Sequence, residues 1–296
     1  MPSFESPSGP SSSETCIPMI TAKAFAPGNV SGVFKIIPHK EPTKMHSLGM
    51  GFTVADGVTV TVAESENTSV HFNGAAIEFA TVRSVIAKLG KVGLRVEIET
   101  DLPLSGGFGL SGACALATAY AGNALLDLGV AENALGMMAH VSEVEHLTGL
   151  GDVAGQFNGG CLVKLVVGDP LAAVALPVPE QDVHYRYFSP INTKDVIGHP
   201  GQRQRINAAA DRALGELARL KNRDETKFAE YISIAKAFSV ESGLLMDDDV
   251  KNAIGECEAA GGTASMIMLG NAVFSDVRFG GSKTTRLAKR RVELIR

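Results

Sequence analysis

Tryptophan is absent from this 296-residue chain, and its four cysteines, Cys16, Cys114, Cys161 and Cys257, form no CxxC pair. Their wide spacing argues against a zinc site or a thioredoxin-like motif, offers no disulfide scaffold, and suits free thiols in a reducing cytoplasm. A basic surplus is missing too. The 27 Lys and Arg stand against 32 Asp and Glu, a net charge of -5, so no nucleic-acid partner is expected. No segment approaches the roughly 20 consecutive apolar residues that span a bilayer, so no membrane role is expected either. The opening MPSFESPSGPSSSETC lacks the basic region and apolar run of a secretory leader. Together these absences point to a soluble, cytoplasmic protein.

Hydrophobic residues make up 45% of the chain and charged ones 20%, which supplies a packed core and excludes a disordered or charge-rich coiled-coil protein. Its length is long for one domain and comfortable for two. Glycine is abundant, with 32 residues, which suggests tight turns and close backbone approach to a small ligand.

Residues 1–18, rich in Ser and Pro, read as a disordered tail. From Ala22 to Glu99 the pattern is mostly strand, interrupted by a helix with Val82, Val85, Ile86 and Leu89 on one face and Gly90 as its C′ residue. A glycine-rich loop at 101–111 leads into helices at 111–127 and 131–147. A second loop at 148–160 precedes a strand at 162–167. Two short strands are expected within 172–188, then helices at 203–221, 225–240 and 247–259, and a strand–turn–strand within 261–274. A domain boundary is expected near 168–180. The last nineteen residues set seven basic side chains against Glu293 alone. A solvated terminal helix or an interdomain contact is favoured there over contact with nucleic acid or anionic lipid.

Three constellations could carry chemistry. Ser105, Gly106, Gly107, Gly109 and Gly112 surround the point where the chain enters a helix, an arrangement that lets backbone N–H groups wrap an anion. Ser111 could add a hydroxyl toward phosphate or Mg²⁺. The same composition suits a turn that merely permits tight packing, and composition does not separate the two. The loop is neither a Walker P-loop, having no Lys-Ser/Thr after the glycines, nor a dinucleotide fingerprint. His140 and Glu143 share a helix face, a pairing that is more often solvated than ligating. Asp152, flanked by glycines in Gly149-Leu-Gly151-Asp152-Val-Ala-Gly155-Gln156, is placed either as a base or metal ligand or as an Asx-turn organiser.

Jointly these segments resemble the GHMP small-molecule kinase superfamily. Its second motif, Pro-x3-Gly-Leu-Gly-Ser-Ser-Ala, is matched here by Pro103-x3-Gly107-Phe-Gly109-Leu-Ser111-Gly-Ala113. The archaeal pantoate kinase branch is similar in more detail, through Pro27-Gly28-Asn29-Val-Ser31-Gly32, Ala139-His140-Val-Ser-Glu143-Val-Glu145, Thr148 through Gln156, and Ala264-Ser265-Met266-Ile-Met268-Leu-Gly270-Asn271. The resemblance implies an α+β, two-domain fold whose N-terminal half is like ribosomal protein S5 domain 2 and whose C-terminal half is an α/β sandwich, with domains at 19–170 and 171–296. It implies ATP over Pro103, Ser105, Gly106, Gly107, Gly109, Leu110, Ser111 and Gly112, and Mg²⁺ held by Ser111 and Glu143. Asp152 would orient or deprotonate the attacking hydroxyl. The implied substrate is pantoate, with Ser47, His140 and Lys164 on its side, giving 4-phosphopantoate on the archaeal route to coenzyme A in a homodimeric enzyme. Relatives acting on mevalonate, shikimate or homoserine, and a silent metabolite-binding protein of the same fold, are the rival expectations. Three positions depart from the branch: Asn29 replaces His, Gly112 replaces Ala, and Lys164 replaces Arg, which keeps the charge but loses the bidentate fork.

Overall fold

A computed structural model describes residues 20–90, 93–191, 193–197, 200–224 and 226–296. The expected tail at 1–18, and Cys16 with it, lie outside the described residues.

Two long antiparallel strands, β1 (Thr21–Ile37) and β2 (His46–Glu64), form the spine. Their register shifts at Pro27/Asn29 and again at Ser31/Val33, so β1 is kinked on either side of Asn29 and Ser31, which later face the site. β3 (Ser69–Phe72), β4 (Ala75–Ala76), α1 (Ala80–Lys88) and β5 (Leu94–Glu99) follow, with β5 antiparallel to β2 and parallel to β3. Gly90 lies just past α1 at φ 74°, as its place after Leu89 led one to expect. Next come α2 (Leu110–Leu125), α3 (Glu132–His146), α4 (Asp152–Asn158), β6 (Cys161–Lys164) and β7 (Val174–Ala175). The later half contains β8 (Gln181–Ser189), α5 (Thr193–Ile197), α6 (Pro200–Leu220), α7 (Phe228–Glu241), α8 (Asp248–Ala259), β9 (Ala264–Met266), β10 (Asn271–Ser275), β11 (Lys283–Leu287) and β12 (Glu293–Ile295).

Among the described residues, one sheet path runs β4-β3-β5-β2-β11-β8-β10-β9, with β1 and β6 also paired to β2, β12 to β1 and β7 to β6. Its middle join is narrow, since β11 meets β2 through Leu287 and Val54 alone. Helix α2 lies on β1 and β2 between α1 and α3. Its sequence has no charged side chain, and Gly112 through Gly122 are all buried, so it is a core helix rather than an amphipathic surface one. Packing side chains close the seam between the halves. Phe52, fully buried on β2, meets Phe228 and Tyr231 edge-to-face at 5.3 and 5.5 Å, and Phe274 of β10 at 5.5 Å. No helix among the described residues is long and apolar enough to cross a membrane.

The structure differs from the sequence expectation in three places. The expected loop at 148–160 contains α4, a helix too short to show an apolar period, bracketed by Gly151 and Gly159 and opened by Asp152, whose charge suits a helix start. The strand expected at 162–167 ends at Lys164, and Val166 is 76% exposed beyond it. The basic C-terminal segment forms no helix. It returns as β11 and β12 to pair with β2 and β1, and the Arg290 guanidinium stacks 3.4 Å from the centroid of Phe25. The same return means that chain from both sides of residue 170 shares one sheet.

Phe52→Ala is expected to destabilise the fold by about 3–5 kcal/mol, because it empties the aromatic seam between the halves. Val166→Ser, at an exposed position, should stay within about 0.5 kcal/mol of wild type. Urea denaturation of both variants checks this; equal midpoints would refute the assignment of Phe52 as the seam's anchor.

Candidate active site

The glycine-rich segment before α2 alternates in handedness, with Ser105, Gly107 and Gly109 at φ 61°, 83° and 61°. Such alternation turns successive N–H groups toward one concavity, and a non-glycine residue there, Ser105, holds a conformation that is uncommon for it. Gly109 is the N-cap of α2 and offers no side-chain cap, so the first N–H groups of the helix point into the same space with the positive end of its dipole. Close packing is served as well. A Cβ on Gly107 would sit 2.6 Å from Ile267 Cγ2, and one on Gly270 would sit 2.4 Å from the Gly106 carbonyl oxygen. The glycines are therefore needed both for the cradle and for the backbone-on-backbone approach of residues 267–270.

This cradle forms one wall of a cavity of ≈ 440 Å³, onto which Ser47, Ser105, Gly107, Gly109, Leu110, Ser111 and Asp152 open. Pro103, Gly106 and Gly112 are not among the residues that line it. A smaller space of ≈ 50 Å³ adjoins, sharing Ser31, Phe34, Ser47 and Gly151 with the first, and Lys164 lines it.

Two carboxylates meet beside the cradle. Asp152, at the start of α4, receives on Oδ1 both the Asn29 amide (Nδ2, 2.8 Å) and the Ser31 hydroxyl (3.1 Å). Glu143, on α3, is 1% exposed; its Oε1 accepts from the Thr148 hydroxyl at 2.6 Å, and its Oε2 has no hydrogen-bond partner. A Cβ on Gly149 would stand 2.2 Å from Glu143 Oε2 and 3.2 Å from Asp152 Oδ2, so the two oxygens flank one spot that glycine leaves open. Burial pushes the Glu143 carboxyl up to about 7 and the neighbouring Asp152 charge adds to the rise, while the Thr148 and Ser111 hydroxyls oppose it. Burial likewise raises Asp152, against the pull of Asn29 and Ser31.

The donor set fits a divalent hard cation: an orphaned buried carboxylate oxygen, a second carboxylate, the Ser111 hydroxyl, and glycines where a Cβ would crowd them. Among the described residues no three His, Cys, Asp or Glu side chains gather as a metal site. A cation here would complete its shell from water and a ligand's phosphates, the habit of Mg²⁺.

Lys164, at the end of β6, donates to the Asp169 carbonyl oxygen, and burial lowers its ammonium to about 8. His140 does not join it on a cavity wall, contrary to the expectation of a substrate contact. It is buried, its Nε2 pairs with the Met45 carbonyl at 2.9 Å, and burial lowers it to about 4, so it braces the start of β2 as a neutral ring. Sequence reasoning also passed over several side chains. In the sequence Asn29 is only a departure from the family motif, and Ser31 and Thr148 are only letters of motifs. Gln156 donates to the Gly109 carbonyl at 2.8 Å and ties α4 to the cradle. Lys194 on α5 is the one basic residue lining the larger cavity among the described residues, and nothing in its local pattern announced it.

Residues 76–160 match the family described as GHMP kinases N terminal domain. The chain is 33% identical over 263 residues to the pantoate kinase of Methanocaldococcus jannaschii, covering 84% of this chain and 90% of that protein. It is 30% identical over 270 residues to the pantoate kinase of Thermococcus kodakarensis, covering 86% and 87%. A solved phosphotransferase related to the CoA biosynthesis pathway superposes with a TM-score of 0.81 at 25% identity, covering 94% of this chain and 99% of that one. The mevalonate diphosphate decarboxylase from Enterococcus faecalis shares the fold, with a TM-score of 0.69 at 16% identity over 94% and 99% of the two chains.

The raised Glu143 carboxyl has a consequence for stability. A folded carboxyl that titrates near 7 instead of 4.5 favours the folded state in full below about 4.5, and that advantage is lost as pH rises toward 7. Asp152 acts in the same sense. Glu143→Gln should therefore gain in melting temperature relative to wild type on going from pH 5 to pH 8, measured without nucleotide or divalent cation. A difference that is the same at both pH values would show that Glu143 titrates like an exposed carboxyl.

Proposed function

This chain belongs to the GHMP kinase family and stands with its pantoate kinases, and from that premise we propose that it transfers the γ-phosphoryl group of ATP to the primary hydroxyl of pantoate, giving 4-phosphopantoate. One observation carries the reading: a helix-capped N–H cradle and the Asp152 carboxylate open on the same cavity, with buried Glu143 beside Asp152 and a lysine in the small adjoining space.

Phosphoryl transfer asks a protein chiefly for alignment and for neutralisation of charge around the transferred group. The N–H groups of residues 105–112 would receive the phosphates. Ser111 and Glu143 would hold Mg²⁺, which when bound draws off charge from the phosphate oxygens. Lys194, which also lines the larger cavity, would add a positive charge near the phosphates. Asp152 has Oδ1 occupied by two donors, which leaves Oδ2 to accept a hydrogen bond from the acceptor hydroxyl, orient it toward the γ-phosphorus and take its proton as the new P–O bond forms and the bond from the γ-phosphorus to the β–γ bridging oxygen breaks, releasing ADP. The carboxylate of pantoate calls for a cation, and Lys164 would supply it by exchanging the Asp169 carbonyl for the substrate. Ser47 stands where both spaces meet and would bond the middle of the substrate. Phe34, Leu162 and Pro170 give the small space apolar sides suited to a dimethyl carbon.

ADP release with Mg-ATP, compared across pantoate, mevalonate, shikimate and homoserine, tests the acceptor. Stimulation by pantoate alone is expected, and stimulation by another acceptor would replace the substrate while leaving the phosphate machinery standing. Asp152→Asn should lower turnover by about 10²-fold or more with ATP binding nearly intact, the scale of a positioned acid–base group. Near-normal turnover would remove Asp152 from the chemistry. Lys164→Ala should raise the KM for pantoate more than that for ATP, and an effect confined to ATP would move Lys164 to the nucleotide.

A further inference from the structure

Asn29 is a buried amide, 2% exposed, on the kinked part of β1. Its Nδ2 lies 2.8 Å from Asp152 Oδ1 and 3.4 Å from the Ser31 hydroxyl. Its own Oδ1 has no hydrogen-bond partner. Leaving a buried acceptor unpaired is costly, and such a group persists where its other half is needed. The slot is made to fit: a Cβ on Gly155 would stand 2.1 Å from Asn29 Oδ1, and one on Gly51 would stand 3.4 Å from its Nδ2. The backbone N–H of the same residue donates to the Phe108 carbonyl at 2.9 Å, inside the cradle loop. One residue thus touches both the segment that would hold phosphate and the carboxylate that would meet the hydroxyl.

We propose that Asn29 is the positioning residue of this site: it pins Oδ1 of Asp152 and thereby presents Oδ2 to the acceptor hydroxyl, in register with the cradle. The inference rests on the kinase reading above. A carboxylate on the first residue of a helix rotates readily about its last bond, and either oxygen can then face the cavity. The second donor, Ser31, is itself on the cavity wall and can turn to a ligand. Asn29 borders only the small adjoining space, is 2% exposed, and has the Gly155 backbone close against its Oδ1, so it has less room to turn than Ser31. Being an amide, it also keeps its N–H at any pH.

The test is a double-mutant comparison in steady-state ADP release with pantoate, using Asn29→Ala, Asn29→Asp, Asp152→Asn and the two doubles. Asn29→Asp matches the native side chain in size, so it carries the test if the alanine variant fails to fold. Each single Asn29 variant should lower kcat about tenfold or more, the scale of a misaligned reacting group, while the KM for ATP changes by less than about twofold. In the Asp152→Asn background, the same substitutions should cost less than about twofold further, because their effect runs through Asp152. Losses that multiply with that of Asp152→Asn would overturn the proposal, since a residue acting through packing alone behaves so. Near-normal kcat in both single variants would overturn it as well, while leaving the kinase reading intact. Wild-type release that ignores pantoate would overturn that reading and this inference with it.

Discussion

Two acidic side chains, Glu143 and Asp152, share a buried space with their free oxygens turned to the same spot, and neither has a cationic partner among the contacts described above. Unrelieved, that arrangement is unfavourable, and burial with mutual repulsion accounts for the raised Glu143 carboxyl. The structure around them meets the strain in parts. Hydroxyls of Thr148 and Ser31 and the amide of Asn29 satisfy one oxygen of each carboxylate. The dipole of α2 opens nearby with its positive end. The remaining oxygens are left for a ligand. A site that is costly when empty and relieved when filled gains affinity for a cation without needing a full protein shell of ligands.

The pair is held by elements that are distant in sequence. Glu143 comes from α3, Asp152 from α4, its two donors from β1, and the backing of the cradle from residues 267–270. Gln156 joins α4 to Gly109, and the seam around Phe52 keeps the later helices against β2. A shift of any of these by a fraction of an ångström changes the spacing between carboxylates and cradle. Close packing without voids is what lets such separate pieces act as a single fixed geometry.

Much of this was legible in the residues. The α2 helix, expected at 111–127, runs Leu110–Leu125, and the apolar face at Val82, Val85, Ile86 and Leu89 with Gly90 after it marks α1, because a helical period and a left-handed stop are local facts. Ser111, Glu143 and Asp152 stand out through the joint family resemblance rather than one by one, and the structure brings them together. The rest depended on tertiary context. A seven-residue helix such as α4 has no period to read. β11 and β12 look basic and solvated until their strand partners are known. Burial of His140 against the Met45 carbonyl, and the opening of Lys194 onto the cavity, are set by chain segments far from either residue. Asn29 looked like a loss against the motif, and only its distance to Asp152 shows what the amide does.

The contact between Gly270 and Gly106 also bears on when the site comes into being. The backbone of residues 267–270 presses directly on the cradle, and the Met268 N–H donates to the Ser31 carbonyl at 3.2 Å. The sheet spine, both carboxylates and the α2 terminus all lie earlier in the chain than that backing turn. The cradle gains its rear wall only when nine-tenths of the polypeptide has been made. The cradle is therefore among the last parts of the molecule to be completed, although its own residues lie in the first half of the chain.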